Sequence, residues 1–156
     1  MARRKTYSKY HVDLSEQGKL NRIGIDYKTG KEIKFDSLLE KQFYEENIIN
    51  GMECGEIIDY DLQKKYQLQP SFKRDGKTIR AIDYVADAWV LYPDGTEKVF
   101  DVKGGLVDPV AKLKKKMMHY IYPNLDYTWV TYSKITGWID FEEYEQNKRK
   151  KKKAKK

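Results

Sequence analysis

Residues 79–103 read IRAIDYVADAWVLYPDGTEKVFDVK, and this stretch decides the fold. Two β-rich runs, 79–92 and 96–103, flank Tyr92-Pro93-Asp94-Gly95-Thr96. Pro93 presets φ for the second position of a type I turn, and Gly95 suits the left-handed residue that follows it. That is a three-residue hairpin loop, which pairs Tyr92 with Thr96 and thereby sets the whole register. Asp87 then falls opposite Asp101, and Val85 opposite Lys103. Side chains alternate along strands. One face carries Ile82, Tyr84, Ala86, Ala88, Val90 and Tyr92 with Phe100 and Val102, and is expected to pack on the core. The other carries Asp83, Val85, Asp87, Trp89 and Leu91 with Val99, Asp101 and Lys103.

Beyond the second run, Gly104-Gly105 ends the strand and Asp108-Pro109 reads as the cap and first residue of a helix. Val110, Leu113, Met117 and Ile121 form its apolar stripe, and Pro123-Asn124 stops it. Tyr127–Tyr132 reads as a buried strand, and 140–150 as a short helix. Upstream, Arg22–Tyr27 and Glu32–Phe35 around Lys28-Thr29-Gly30-Lys31 predict a small hairpin. Ser37 and Glu40 match a capping box, followed by Leu38, Leu39, Phe43, Ile48 and Ile49 at helical spacing, with Gly51 as the stop. Residues 56–68 read as extended, and Lys73–Lys77 as a polar turn.

The 156 residues suit a single domain of mixed α/β class, expected over 21–147. Residues 1–20 show no clear period and are expected to form a flexible basic arm. No run approaches the ~18 apolar residues of a membrane span, and no apolar segment follows Met1–Lys5 as a secretory signal requires. A single cysteine, Cys54, excludes an internal disulfide and a cysteine zinc site. It reads as ordinary packing, and the expected setting is a reducing cytoplasm. His11 and His119 lack paired ligand spacing. The net charge of +7 is concentrated at the ends. Lys148–Lys156 holds eight Lys or Arg, and without that tail the chain carries −1. Basic tails favour polyanions, nucleic acid above all.

Two carboxylates facing each other across a strand pair repel. They need solvent, a shared proton or a cation. Lys103 supplies one positive charge, and a divalent ion would neutralise the pair better. Glu40 is available as a third acid, although the capping box explains it equally well. Lys112, Lys114, Lys115 and Lys116 are either a solvated helix face or phosphate contacts, with Lys115 and Lys116 the foremost candidates. Asp83 reads as a solvated rim residue.

In order and spacing, Phe35-Asp36-Ser37-Leu38-Leu39-Glu40, Tyr84-Val85-Ala86-Asp87, Asp101-Val102-Lys103-Gly104 and Leu113-Lys114-Lys115-Lys116 resemble the PD-(D/E)XK nuclease superfamily. They are closest to a small phage-encoded, Holliday-junction-resolvase-like family. Ala86 stands where the superfamily's name has Pro. The resemblance implies a restriction-endonuclease-like core, a mixed sheet flanked by helices. It implies Mg²⁺ or Mn²⁺ held by Asp87, Asp101 and the Val102 carbonyl, with Glu40 as an outer metal ligand or holding metal-bound water. Lys103 would orient or activate the attacking water, and Gln63 resembles a glutamine often found on the preceding strand. The expected activity is metal-dependent DNA endonuclease, on branched or duplex DNA, with a homodimer implied if the substrate is a four-way junction. The alternative is a non-catalytic nucleic-acid-binding protein with an inert nuclease-like core and a Lys-rich tail.

Overall fold

The computed structural model describes residues 12–154. In chain order the elements are α1 (Glu16–Asn21), β1 (Ile23–Ile25), β2 (Glu32–Lys34), α2 (Leu38–Phe43), a π-helical stretch (Tyr44–Ile49) and α3 (Asn50–Cys54). Then follow β3 (Asp59–Gln69), β4 (Phe72–Arg74), β5 (Lys77–Ile79), β6 (Ile82–Leu91) and β7 (Glu97–Val102). The chain continues through α4 (Pro109–Ile121), β8 (Asp126–Ser133), β9 (Gly137–Asp140) and α5 (Phe141–Ala154).

The protein is mixed α/β. A five-stranded sheet of order β3-β6-β7-β8-β9 is antiparallel except for the parallel β7–β8 pair. Helices cover both faces. Phe100, Val102 and Val130 pack with Phe43, Tyr44 and Ile48 on one side. The alternate residues Val99 and Trp129 pack with Met118 and Phe141 on the other. No described helix is long and apolar enough to cross a membrane.

The 93–95 loop forms as read. Tyr92 donates to the Thr96 carbonyl at 2.9 Å, and Gly95, at φ 84°, donates to the Tyr92 carbonyl at 3.0 Å. The register that follows holds from Leu91↔Glu97 to Ala88↔Phe100. The ladder stops there, so Asp87 and Asp101 are not a ladder pair, and Val85 does not reach Lys103. Asp83 instead faces Gln67 on β3 and lies 3.9 Å from the Lys65 ammonium.

The single apolar face expected for β6 is split. Ala88 and Val90 join the α2 side, whereas Tyr84 and Ala86 join the α4 side. The alternation changes phase at Asp87. Opposite it, Gln63 holds a left-handed φ of 56°, and the paired positions skip from Leu62↔Ala88 to Lys64↔Ala86. Left-handed backbone is uncommon for a non-glycine residue, and it twists both strands together.

Four other expectations change. Gly51 does not end its helix. It is buried, and a Cβ there would lie 2.6 Å from Ile57 Cδ1, so glycine lets the strand approach. Gly55, at φ 79°, is the true stop, and it leaves Cys54 exposed rather than packed. Part of the supposed flexible arm is ordered. Ser15 caps α1, and Arg22 donates to the Asp13 carbonyl at 2.5 Å; residues 1–11, with His11, lie outside the described residues. Asp140 caps α5, which carries the basic tail as helix to Ala154.

The fourth change concerns α4. Asp108 caps it as read, accepting from Val110 N at 2.8 Å. Its stripe, however, points outward: Val110 and Leu113 are more than half exposed. Met118 is the buried residue, and two lysines lie inward with it. Lysine stems cover apolar surface readily when the ammonium finds a partner. Lys114 donates to the Asp83 carbonyl at 2.7 Å, and the Lys115 ammonium sits 4.6 Å from the Trp129 ring centroid and 2.6 Å from Glu142.

Candidate active site

Where the β6–β7 ladder stops, a side chain takes over its hydrogen bonding. Asp87 Oδ2 accepts from the Val102 backbone N–H at 2.7 Å. The β7 backbone stays anchored on its other edge to β8, through Asp101↔Trp129 and Val102↔Val130, and Lys103 N donates to the Val130 carbonyl at 2.8 Å. The carboxylate therefore fills a wedge where β6 leaves β7. Burial, then the neighbouring Asp101 carboxylate, then Glu40, hold the Asp87 carboxyl well above its usual range. The Val102 N–H opposes them, with less effect.

Asp101 is buried. Its Oδ2 accepts from Tyr84 Oη at 2.5 Å and forms an ion pair with Lys103. Tyr84 in turn accepts from Tyr127 Oη at 2.5 Å, which accepts from Trp129 Nε1 at 2.5 Å. These four side chains form one directional chain of donors ending on the carboxylate. Burial, then the Asp101 and Tyr127 charges, push the Tyr84 hydroxyl far up, so it stays protonated and donates. Lys103 is also held over the Trp129 ring, 4.9 Å from its centroid. One oxygen of Asp101 is thus occupied and oriented from behind.

Glu40 caps its helix and also lines the cavity beside Asp87. Its N–H donates to Ser37 Oγ at 3.1 Å, and its carboxylate accepts from Ser37 Oγ at 2.8 Å and from Asp36 N at 3.2 Å, completing the capping box. The same carboxylate lines a cavity of about 200 Å³ with Gln63, Asp87 and Val102. Burial foremost raises its pKa, with Ser37 opposing and the Asp36 and Asp101 charges adding to the rise.

The structure thus gathers Glu40, Gln63, Asp87, Asp101, Val102 and Lys103 around the end of one ladder. Lys115 and Lys116 line a cleft of about 600 Å³ between α4 and α5 that meets the site at Trp129, whose ring lies 4.6 Å from the Lys115 ammonium and 4.9 Å from that of Lys103. His119 is exposed on that cleft. Tyr84, Tyr127 and Trp129 are the residues the sequence reading missed. A buried tyrosine needs a polar partner, but nothing local says which.

Do these residues suit a divalent ion? Fully ionised, three carboxylates against one ammonium carry two negative charges without a counter-charge, and all the donors are oxygens, as Mg²⁺ and Mn²⁺ prefer. Among the described residues, no three His, Cys, Asp or Glu side chains form a ready cation cage. Charge coupling of the kind Asp87 feels reaches farther than a coordination bond. Mg²⁺ is commonly held by one or two carboxylates with water and substrate phosphate completing the shell, so the Asp87–Asp101 neighbourhood fits an ion that arrives with its substrate.

Residues 19–137 match the model of a family described as a protein of unknown function, DUF1064. No curated protein matches the chain.

Proposed function

The chain belongs to the DUF1064 family, and we propose that it is a metal-dependent DNA endonuclease of the PD-(D/E)XK type. One observation carries this reading. Two neighbouring carboxylates, the half-buried Asp87 and the buried Asp101, lie at a broken ladder with Glu40 nearby and Lys103 clamped beside Asp101. Such an anionic cluster is costly to maintain in a fold. It becomes useful where a cation and a phosphodiester are to be brought together.

In this reading Asp87, Asp101 and the Val102 carbonyl would hold the ion, with Glu40 and Gln63, which line the same cavity, available around it. A divalent ion bound there supplies Lewis acidity toward the phosphate and lowers the pKa of water. Tyr84 holds Asp101 in one rotamer, leaving its second oxygen directed away from the relay. Lys103, fixed between Asp101 and the indole face, places a positive charge beside the scissile phosphate. Glu40, fixed by its cap bonds to Ser37 and Asp36, stands at the start of α2 on the site's cavity.

Single-turnover cleavage with Mg²⁺, Mn²⁺ or EDTA tests the proposal, using four-way junction, flap, linear duplex and single-stranded DNA. Metal-dependent nicking that Asp101→Ala abolishes is the expected result. Symmetric nicks on a four-way junction would support a resolvase of phage type, acting as a dimer in a host cytoplasm. Random cutting of linear duplex would reject that subtype. Binding without cutting of any form would leave a nucleic-acid-binding protein with an inert core.

A further inference from the structure

Every residue from Pro70 to Ala81 is exposed. Within this stretch β4 and β5 form a regular two-stranded ribbon, Phe72↔Ile79, Lys73↔Thr78 and Arg74↔Lys77, closed by Asp75 at φ 50° and Gly76 at φ 73°. Two positive φ values at the turn make it a tight connection whose twist matches the strands. An isolated two-stranded hairpin is marginal in water, and this one has no core beneath either face. Its own packing does not account for it.

Its charges point to a partner. Lys73, Arg74, Lys77 and Arg80 stand against the single acid Asp75, a net of +3 over the ribbon. Arg74 lies directly across from Lys77. Like charges facing across strands destabilise a hairpin. The Arg74–Asp75 pair, at 3.7 Å and largely exposed, offsets this weakly. An anion laid along the ribbon would remove the penalty. A second copy of the chain would not, because two +3 ribbons repel.

We propose that the β4–β5 ribbon is a duplex-DNA contact that enters the major groove beside the cut site. A B-form major groove, about 12 Å wide, admits a two-stranded ribbon. The corresponding groove of double-stranded RNA is too narrow and deep for it. β3 and β6 run from Gln63 and Asp87 directly to the ribbon. The Gly76 tip is eleven residues from Asp87, no more than about 40 Å of chain. That matches about one turn of duplex, 34–36 Å. The ribbon rests on the reading that DNA is the ligand, not on the core cutting it.

The test uses the full chain in EDTA, a 25-base-pair DNA duplex and an RNA duplex of the same sequence. Arg74→Thr with Lys77→Thr removes the opposed cations while keeping strand-favouring residues. At about 100 mM salt its DNA affinity is expected to fall about 10–100-fold. Its log–log salt slope should flatten by about 2, at about 0.9 per phosphate contact, with RNA affinity and Tm unchanged. Methylation of guanine N7 in one turn beside the cut, or beside the bound centre, is expected to interfere with wild type only. Unaltered DNA affinity in the folded variant would overturn the ribbon, as would an equal loss on RNA or a wild type that binds no duplex. A wild type that binds through Arg74 and Lys77 but never cuts with Mg²⁺ defeats the nuclease and leaves the ribbon standing.

Discussion

The arm that runs from Asp87, midway along the β3–β6 pair, to the Gly76 tip has an acidic end, where Asp87 sits in a wedge beside Asp101. At the other, Arg74 and Lys77 face each other in open solvent. Both ends hold like charges at close range. The difference is in what restrains them. The acids are held by backbone, tyrosine and lysine, so their repulsion is stored in a rigid framework. The cations are held by a turn alone, so they can adapt to a curved anionic surface. A rigid end suits chemistry and a pliant end suits grip.

The sharpest way to break that contrast is Asp101→Asn. Cleavage at saturating DNA is expected to fall about a thousandfold or more, since the ion loses a charged ligand. Duplex affinity in EDTA should stay within about twofold. Loss of binding instead would mean that the two ends are not separable. Tyr84→Phe comes next. It leaves the buried Tyr127 hydroxyl without its acceptor and Asp101 with Lys103 but without its tyrosine donor, at a cost of about 1–3 kcal/mol for an unsatisfied buried group. For a domain of this size calorimetry should show a Tm lower by several degrees, about 2–4 °C per kcal/mol.

Asp87 gives a pH test. Its folded-state pKa lies above its unfolded one, so the folded protein binds the proton more tightly. The contribution of Asp87 to metal-free stability is then greatest at acid pH and is lost as pH rises from the unfolded through the folded value. Thermal melts in EDTA should show that decline in wild type. Asp87→Asn should flatten it and raise Tm at neutral pH, and added Mg²⁺ should raise the Tm of wild type but not of the variant. The smallest expected effect lies outside both ends. Replacing Lys150–Lys153, all exposed on α5, by alanine should weaken DNA and RNA binding alike and flatten both salt slopes. The rate at saturating substrate should not change.

The hairpin at 93–95 was legible because one proline and one glycine specify its loop, and the loop specifies the register. The halting of that register one pair before Asp87 was not, because a carboxylate replacing a ladder bond leaves no mark on hydrophobic alternation. For α4 the stripe of Val110, Leu113 and Ile121 argued for the wrong face. The deciding interactions were Lys115 over Trp129 and Lys114 on the Asp83 carbonyl, between residues far apart in the chain. Gly51 shows the same limit: it reads as the stop, whereas the close approach of Ile57 and the left-handed φ of Gly55 put the stop four residues later. β9 was missed because Gly137-Trp138-Ile139-Asp140 is short, although Trp138 packs on Phe43 at 5.0 Å. Of the site, Asp87, Asp101 and Lys103 were brought out by the hairpin register, and Glu40 joined them only through the family resemblance; the tyrosine relay behind Asp101 had no such signal.

The bond from the Val102 amide to Asp87 turns one peptide group into a gauge of the wedge. Its proton resonance should move downfield as the carboxyl ionises and shift again when an ion settles between the acids. Its solvent-exchange rate should record how often the strands part. A single labelled valine would then report occupancy in real time, with no substrate present.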